Sequence, residues 1–172
     1  YNNEIGVPLT VLRADTTTKY LVVEMGARAR GDIAHLCALA RPSIGAVLNV
    51  GVAHLGEFGS QEAIALTKGE LVESLPEVGF AVLNSDDPLT IAMKTRTQAH
   101  VLTFGDDADV APRSITFDEF DRPSFELGFA GEWAAVTLAG IGRHQVVNAC
   151  AAAAMAVAAE KTMVPSGPQV PP

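Results

Sequence analysis

The chain has 172 residues, of which 48% are hydrophobic and 19% are charged, and this length and composition suit one compact domain. Its formal net charge of -8 provides no broad positive surface for phosphate backbones, so nucleic-acid binding is excluded as a first interpretation. No apolar run approaches the roughly 18 residues of a membrane-spanning helix, and no signal peptide is recognisable. Cys37 and Cys150 stand in Ala/Leu-rich stretches, which predicts buried, free thiols in a reducing compartment, the cytoplasm.

Short apolar runs alternate with helical patterns over the first hundred residues. The runs are continuous rather than alternating, which predicts strands buried on both faces, at residues 20–25, 44–50, 80–84 and 100–104. Between them the pattern predicts helices at residues 32–40, 61–75 and 88–94. This order of elements predicts an α/β fold with a mainly parallel sheet flanked by helices.

The pattern changes in the second half of the chain. Three short segments separated by Asp, Gly and Pro turns predict a small antiparallel β subsheet, at residues 114–117, 124–129 and 133–138. An Ala-rich run then predicts a helix over residues 145–160. We therefore expect one domain over residues 1–160 and a disordered, proline-rich tail over residues 161–172.

Two polar residues follow predicted strands at the edge of the sheet where ligands of α/β proteins gather. Glu24 closes the first strand, and His54 follows the second. A carboxylate and an imidazole on one edge could share a divalent metal whose other ligands are phosphates. The alternative is a solvated strand-end glutamate and a hydrogen-bonded loop histidine.

Lys68 falls within the apolar stripe of its predicted helix, since Ile64, Lys68, Leu71 and Leu75 share one face. One interpretation is that the aliphatic part of the Lys68 side chain packs against the core while its ammonium group reaches water. The other is chemical, because burial lowers the pKa of a lysine and a neutral amine can add carbon dioxide to give a metal-binding carbamate. The sequence leaves both open.

A glycine-led turn, Gly142-Arg143-His144-Gln145, enters the Ala-rich helix. On that helix, Asn148 offers a donor and an acceptor side by side, the pairing that matches the N6/N7 edge of adenine. A capping or surface role is the alternative for Asn148.

Six strings of the chain, taken in order, resemble the Mur ligase family of ATP-dependent amide ligases, and within it the branch that adds D-alanyl-D-alanine. They are NNEIGVPLTVL (2–12), VVEMGARARGDI (22–33), NVGVAHLGEFGSQEAIALTKGE (49–70), AVLNSDDP (81–88), TFGDDADV (103–110) and GRHQVVNACAAAA (142–154). The resemblance covers the chain to about residue 160, and NNEIGVPLT with AHLGEFGS is its most specific combination.

The resemblance implies the family's central ATP-binding domain of P-loop type, with ATP and Mg²⁺ as cofactors. It implies that Glu24 and His54 bind magnesium and that Lys68 is the lysine carbamylated in this family, with Lys68 and His54 serving catalysis. It also implies that Asn148, Gln145 and His144 contact the adenine side of ATP. Gln145 occupies the position where family members often have Asn, so the side-chain amide is retained but lies one methylene group further from the backbone.

The resemblance further implies a monomeric cytoplasmic enzyme of peptidoglycan synthesis. Its substrates are UDP-N-acetylmuramoyl-tripeptide and D-Ala-D-Ala, joined through an acyl phosphate. The family's glycine-rich phosphate loop is expected before Tyr1, so the sequence predicts a fragment with little or no ligase activity on its own. The alternatives are another Mur or folylpolyglutamate-type amide ligase, and a non-catalytic nucleotide-binding domain.

Overall fold

The structure, a computed structural model, describes residues 2–51 and 59–163. Its helices are α1 (Gly6–Val11), α2 (Asp32–Ala40), α3 (Gln61–Glu73), α4 (Pro88–Ile91) and α5 (His144–Met163), with a 3₁₀ turn at Ala92–Arg96. Its strands are β1 (Ile44–Val47), β2 (Phe80–Asn84), β3 (His100–Phe104), β4 (Val110–Phe117), β5 (Pro123–Phe129) and β6 (Glu132–Thr137). Strands and helices alternate through β3, as expected of an α/β fold.

The described strands form one six-stranded sheet in the order β1-β2-β3-β4-β5-β6. Strands β1, β2 and β3 are parallel, whereas β5 pairs antiparallel with β4 on one side and with β6 on the other. A single residue pair, Phe104 with Val110, joins the two parts. The predicted antiparallel subsheet is therefore confirmed, and it continues the parallel sheet rather than forming a separate one.

The core lies on both faces of the sheet, which explains the continuous apolar runs. On β2, Val82 packs towards the cluster that includes α5, whereas Ala81 and Leu83 pack towards α3, and all three are fully buried. Small residues of α5, such as Ala151 and Ala154, let that helix approach the sheet closely. The two faces together form a helix, sheet and helix sandwich.

The predicted strand at residues 20–25 is wrong. This segment carries no strand in the structure, and Tyr20, Leu21 and Val22 are 58%, 42% and 82% exposed. A strand requires a neighbour that completes its hydrogen-bond ladder, and none of the residues described pairs with this segment. High β propensity alone was not enough to make it a strand.

Other boundaries differ by a few residues. Strand β1 ends at Val47 rather than at residue 50, α3 ends at Glu73, and α5 reaches Met163. Helix α1 was not predicted; its start is held by Asn3, whose Oδ1 accepts hydrogen bonds from the Ile5 and Gly6 amides at 3.2 and 2.9 Å. The tail expected over residues 161–172 lies, from residue 164 onward, outside the described residues. Of the helices described, none has the length and apolar character to cross a bilayer.

Candidate functional site

Helix α3 brings Lys68 to the carboxyl end of β1. The helix begins at Ser60, whose Oγ accepts a hydrogen bond from the Ala63 amide at 3.1 Å. Two turns later the half-buried Lys68 donates from Nζ to the Asn49 carbonyl oxygen at 2.7 Å. Burial lowers the pKa of Lys68 below its usual 10.5, while the nearby Asp87 carboxylate acts in the opposite direction. The amine is therefore easier to deprotonate than a surface lysine.

Asp87 lies beside this lysine, at the end of β2. It caps α4, since Oδ1 accepts from the Leu89 and Thr90 amides at 2.9 and 3.2 Å, and Pro88 occupies the first helical position. The helix predicted from residue 88 therefore begins where it was expected. Burial by itself raises the pKa of Asp87, but hydrogen bonds from Val50, Thr90 and Leu89 outweigh it, so the net pKa falls below 3.8. Asp87 is an ionised carboxylate at neutral pH.

Glu24 lies in the segment that forms no strand, so it does not close a strand as predicted. Its side chain is exposed, and Oε1 accepts a hydrogen bond from Asn2 Nδ2 at 2.9 Å. The same Asn2 accepts at its backbone oxygen from the Gly26 amide at 2.7 Å. A Cβ on Gly26 would lie 3.1 Å from the Asn2 side chain, so glycine allows this close approach. The beginning of the chain thereby orients the Glu24 carboxylate.

The predicted metal constellation is only partly visible. His54 lies outside the described residues, and Glu24 and Lys68 come from different elements. Within residues 2–51 and 59–163, no group of three or more His, Cys, Asp and Glu side chains lies close enough to hold a metal ion. The metal roles of these residues therefore stay predictions.

The three residues predicted on the adenine side share the first two turns of α5. Gly142 precedes them with φ of +92°, a conformation that favours glycine. His144 and Asn148 are exposed and four residues apart, so they lie on one face of the helix. Gln145 is half-buried, and its Nε2 lies 3.3 Å from His144 Nε2. The arrangement presents an imidazole and two amides at one helix end.

A small cavity of about 60 Å³ adjoins this helix end. Its lining includes Val147 and Cys150 from α5 and Arg143 immediately before that helix, together with Asp86 and Asp106 from the loops after β2 and β3. Arg143 Nη2 lies 3.5 Å from Asp106 Oδ2 across the opening. The cavity has room for about two water molecules, so an adenine ring would have to lie at its mouth.

Sequence reasoning missed Glu70, two residues beyond Lys68 on the same helix. This carboxylate is 7% exposed and accepts hydrogen bonds from the Gly31 amide at 2.7 Å and the Ala34 amide at 3.1 Å. Gly31 is the N-cap residue of α2 and has no side chain to cap it, so Glu70 supplies the anion that a helix N-terminus favours. The only signal in the sequence was a glutamate two residues after Lys68.

The fold and site define a class of protein. This is an α/β domain whose parallel strands end beside a partly buried lysine and an ionised aspartate, the edge at which such sheets bind ligands. The chain matches the Mur ligase middle domain over residues 1–156. It therefore belongs to the Mur ligase middle domain family.

Relatives with curated names point to one branch of the family. The chain is 51% identical over 159 residues to UDP-N-acetylmuramoyl-tripeptide–D-alanyl-D-alanine ligase of Mycobacterium tuberculosis, covering 91% of this chain and 31% of that protein. It is 35% identical over 166 residues to the ligase of the same name from Escherichia coli, covering 94% and 36%. The chain thus spans about a third of the length of the curated relatives it matches.

Solved structures agree with the fold. A crystal structure of MurF from Acinetobacter baumannii superposes with a TM-score of 0.87 at 31% identity, covering 94% of this chain and 36% of that one. MurF from Thermotoga maritima in complex with ADP gives a TM-score of 0.68 at 26% identity, covering 88% and 40%. The α/β class and its mixed sheet are therefore confirmed.

Proposed function

We propose that this chain is the central ATP-binding domain of a ligase that joins D-alanyl-D-alanine to UDP-N-acetylmuramoyl-tripeptide in peptidoglycan synthesis. The observation that carries the proposal is the 51% identity, over 91% of the chain, to ligases of that name. The geometry supports it because Lys68 and the start of α5 lie where an α/β domain takes a nucleotide. The ADP complex of the Thermotoga maritima relative supports the choice of nucleotide.

The adenine base is assigned to the exposed end of α5. The Asn148 amide can donate to N7 or accept from N6, and the pair of contacts fits one planar amide. Gln145 brings a second amide from the preceding turn, and His144 lies beside it. These contacts would orient the nucleotide without taking part in bond making.

Magnesium is assigned to Glu24, His54 and Lys68. The donor set fits a hard cation, because Glu24 is an exposed carboxylate and a carbamate on Lys68 would add two more oxygen ligands. When bound, the ion supplies Lewis-acid stabilisation of phosphate charge. Around it, Asn2 holds the Glu24 carboxylate in place, and α3 holds the Lys68 nitrogen near β1.

The chemistry of Lys68 begins with loss of a proton. The neutral amine attacks the carbon of carbon dioxide, an N–C bond forms, one C–O π pair moves to oxygen, and the nitrogen releases a proton to water. Burial favours this step because it lowers the pKa of Lys68. The product is an anionic carbamate that keeps one N–H.

In the ligase reaction, a carboxylate oxygen of the tripeptide attacks the γ-phosphorus of ATP. The bond to the β,γ-bridging oxygen breaks, ADP leaves, and an acyl phosphate forms. The amine of D-Ala-D-Ala then attacks the acyl carbon and loses a proton, and phosphate leaves the tetrahedral intermediate. We assign this reaction to a monomeric enzyme in the cytoplasm.

The test uses the full-length product of the gene that encodes this chain, with phosphate release measured from ATP, tripeptide precursor and D-Ala-D-Ala. Glu24→Gln and Lys68→Met should lower kcat/KM by roughly 100-fold or more, the scale of losing a charge-stabilising group. Asn148→Ala should chiefly raise KM for ATP, by about 10-fold for one or two hydrogen bonds. The exposed Glu77→Gln, near the other end of α3, is the matched control and should leave turnover unchanged.

Carbamylation is measured separately, by carbon NMR of the protein in ¹³C-labelled bicarbonate. A carbamate resonance that is absent from Lys68→Arg supports the assignment. Turnover with a folate substrate and glutamate instead would favour the folylpolyglutamate-type alternative. Binding of ADP without turnover of either substrate set would favour a non-catalytic domain.

A further inference from the structure

The segment that joins β6 to α5 lies against the tip of the β4–β5 hairpin. The Leu138 amide donates to the Pro123 carbonyl oxygen at 3.0 Å, and the Gly142 amide donates to the Asp121 carbonyl oxygen at 2.8 Å. Gly142 stands two residues before His144, the first residue of α5. The chain therefore enters α5 from a point that is fixed by the hairpin.

The turn of this hairpin, residues 118–122, is held by the Asp118 carboxylate. Its Oδ1 accepts hydrogen bonds from the Phe120 and Arg122 amides at 3.0 and 2.9 Å. Its Oδ2 accepts from Arg122 Nε at 2.7 Å, so the carboxylate also pairs with the guanidinium. The hydrogen bond from the Arg122 side chain is the largest cause that holds the pKa of Asp118 below its usual 3.8. Asp118 is therefore an ionised acceptor at neutral pH.

The turn keeps Asp121 in a backbone conformation that residues other than glycine rarely adopt. Its φ is +60°. The Asp121 amide donates to the Asp118 carbonyl oxygen at 3.0 Å, and the Asp118 amide donates to the Arg122 carbonyl oxygen at 3.2 Å, so the turn is closed around Asp121. Such a conformation persists only where the surrounding structure holds it. Here it accompanies the contact of the Asp121 carbonyl oxygen with Gly142.

The residues that follow this contact are closely packed. A Cβ on Gly142 would lie 3.0 Å from the His144 ring, and a Cβ on Gly140 would lie 2.9 Å from the Gln145 side chain. The imidazole and the amide therefore lie against two glycines of the segment that the hairpin holds. A shift of that segment would displace both side chains.

We propose that Asp118 is a positioning residue for the adenine side of the nucleotide. By holding the turn, it directs the Asp121 carbonyl oxygen to Gly142 and thereby fixes the His144 and Gln145 side chains at the start of α5. The inference rests on the proposed function, which assigns adenine to this helix end. It extends that function by naming a group that orients the adenine contacts from outside the helix.

The experiment uses the full-length gene product and measures two dissociation constants by titration calorimetry. The probes are ADP and inosine diphosphate, in which a carbonyl oxygen replaces the N6 amino group of adenine. Asp118→Ala removes the acceptor that holds the turn, and Asp121→Pro cannot adopt a positive φ, so it displaces the carbonyl oxygen. Two matched controls lie in the same turn. Glu119→Ala removes an exposed carboxylate, and Asp121→Gly keeps both the conformation and the carbonyl oxygen.

The expected result is a change in base preference. Wild type and both controls should bind ADP about 10-fold or more tightly than inosine diphosphate, the scale of one amide paired with a base edge. In Asp118→Ala and Asp121→Pro this ratio should fall below about 3-fold, because the adenine contacts are misplaced. Asp118→Asn keeps an oxygen for the Phe120 and Arg122 amides, so it should restore most of the ratio.

A wild-type ratio in both Asp118→Ala and Asp121→Pro would overturn the proposal. An equal loss of affinity for both nucleotides would also overturn it, since a purely structural defect does not distinguish the bases. Urea midpoints of all variants show whether each one is folded.

Failure of the proposed function gives different results. Normal base preference without ligase turnover refutes the proposed reaction and leaves the role of Asp118 standing. If the wild type shows no base preference, or if Asn148→Ala keeps it, the adenine assignment fails and the role of Asp118 fails with it. A preference that Asn148→Ala loses and Asp118→Ala keeps refutes the role of Asp118 alone.

Discussion

Replacing Glu70 tests whether one buried carboxylate joins helix α3 to helix α2. Glu70 is the acceptor for two amides at the start of α2, those of Gly31 and Ala34, and the residue is 7% exposed. Glu70→Ala removes both acceptors and leaves two N–H groups at a packed helix end. Glu70→Gln keeps one acceptor and turns an NH₂ group towards the other amide.

The expected magnitude follows from these two contacts. Hydrogen bonds to a charged group contribute roughly 1.5–3 kcal/mol each, so Glu70→Ala should lower the free energy of unfolding by about 3–5 kcal/mol. Glu70→Gln should lose about half as much. Because domains of this size are stable by roughly 5–15 kcal/mol, the alanine variant should show a large shift of its urea midpoint.

The matched control is Glu73→Ala, one turn further along the same helix. Glu73 pairs with Arg96 at 2.8 Å, but its side chain is 46% exposed, so its loss should cost less than about 1 kcal/mol. The assay is urea unfolding followed by circular dichroism, with m-values compared to exclude a change in the unfolded state. If Glu70→Ala unfolds at the same urea concentration as Glu73→Ala, the carboxylate does not hold α2 and the reasoning is refuted.

Three further predictions concern single side chains. A Cβ on Gly69 would collide with the Arg96 guanidinium, so Gly69→Ala should destabilise the wild type in urea but stabilise the Arg96→Ala background by about 1 kcal/mol. Destabilisation in both backgrounds would contradict this. Burial lowers the pKa of Lys68, so between its pKa in the folded protein and about 10.5 the unfolded chain binds more protons than the folded one. In this pH range the free energy of unfolding of the wild type should rise with pH relative to that of Lys68→Met. If the difference in free energy of unfolding between the wild type and Lys68→Met does not change with pH, the prediction is contradicted. Burial and nearby carboxylates raise the pKa of Cys150 to about 11. Iodoacetamide at pH 8 should therefore label Cys150 more than about 100-fold more slowly in the folded protein than in the unfolded one. Labelling is measured by mass spectrometry, with Cys150→Ser as the reference.

Local sequence signals were sufficient where the structure depends on neighbours in the chain. Helix α2 was predicted with its observed bounds, because Pro42 disfavours helical backbone in the residue before it. In the structure that residue, Arg41, ends the helix with φ of +48°. Strands β2 and β3 were also predicted to the residue, since both faces of each are covered and the apolar runs are continuous. The free, buried state of both cysteines is likewise confirmed.

Signals failed where the structure depends on a distant partner. The run YLVVEM at residues 20–25 has strong β propensity, yet no described strand lies beside it to pair with. The same limit applies to the site. Lys68 was singled out by its helical position. Asp87 was not, because its hydrogen bond to Val50 spans 37 residues that sequence spacing does not connect. Glu70 was missed for the same reason.

The two uses of Lys68, as a contact to the Asn49 carbonyl and as the proposed carbamate, are chemically compatible. A carbamylated lysine keeps one N–H, which can still donate to Asn49 from the present position of Nζ while both new oxygens stay free for a cation. Modification reverses the charge of the group from positive to negative, however, in the field of the ionised Asp87. Two anions so placed repel unless a cation lies between or beside them. The proposed carbamate should therefore accumulate with the divalent ion rather than before it, and the ¹³C resonance assigned to Lys68 should grow when magnesium and ADP are added together.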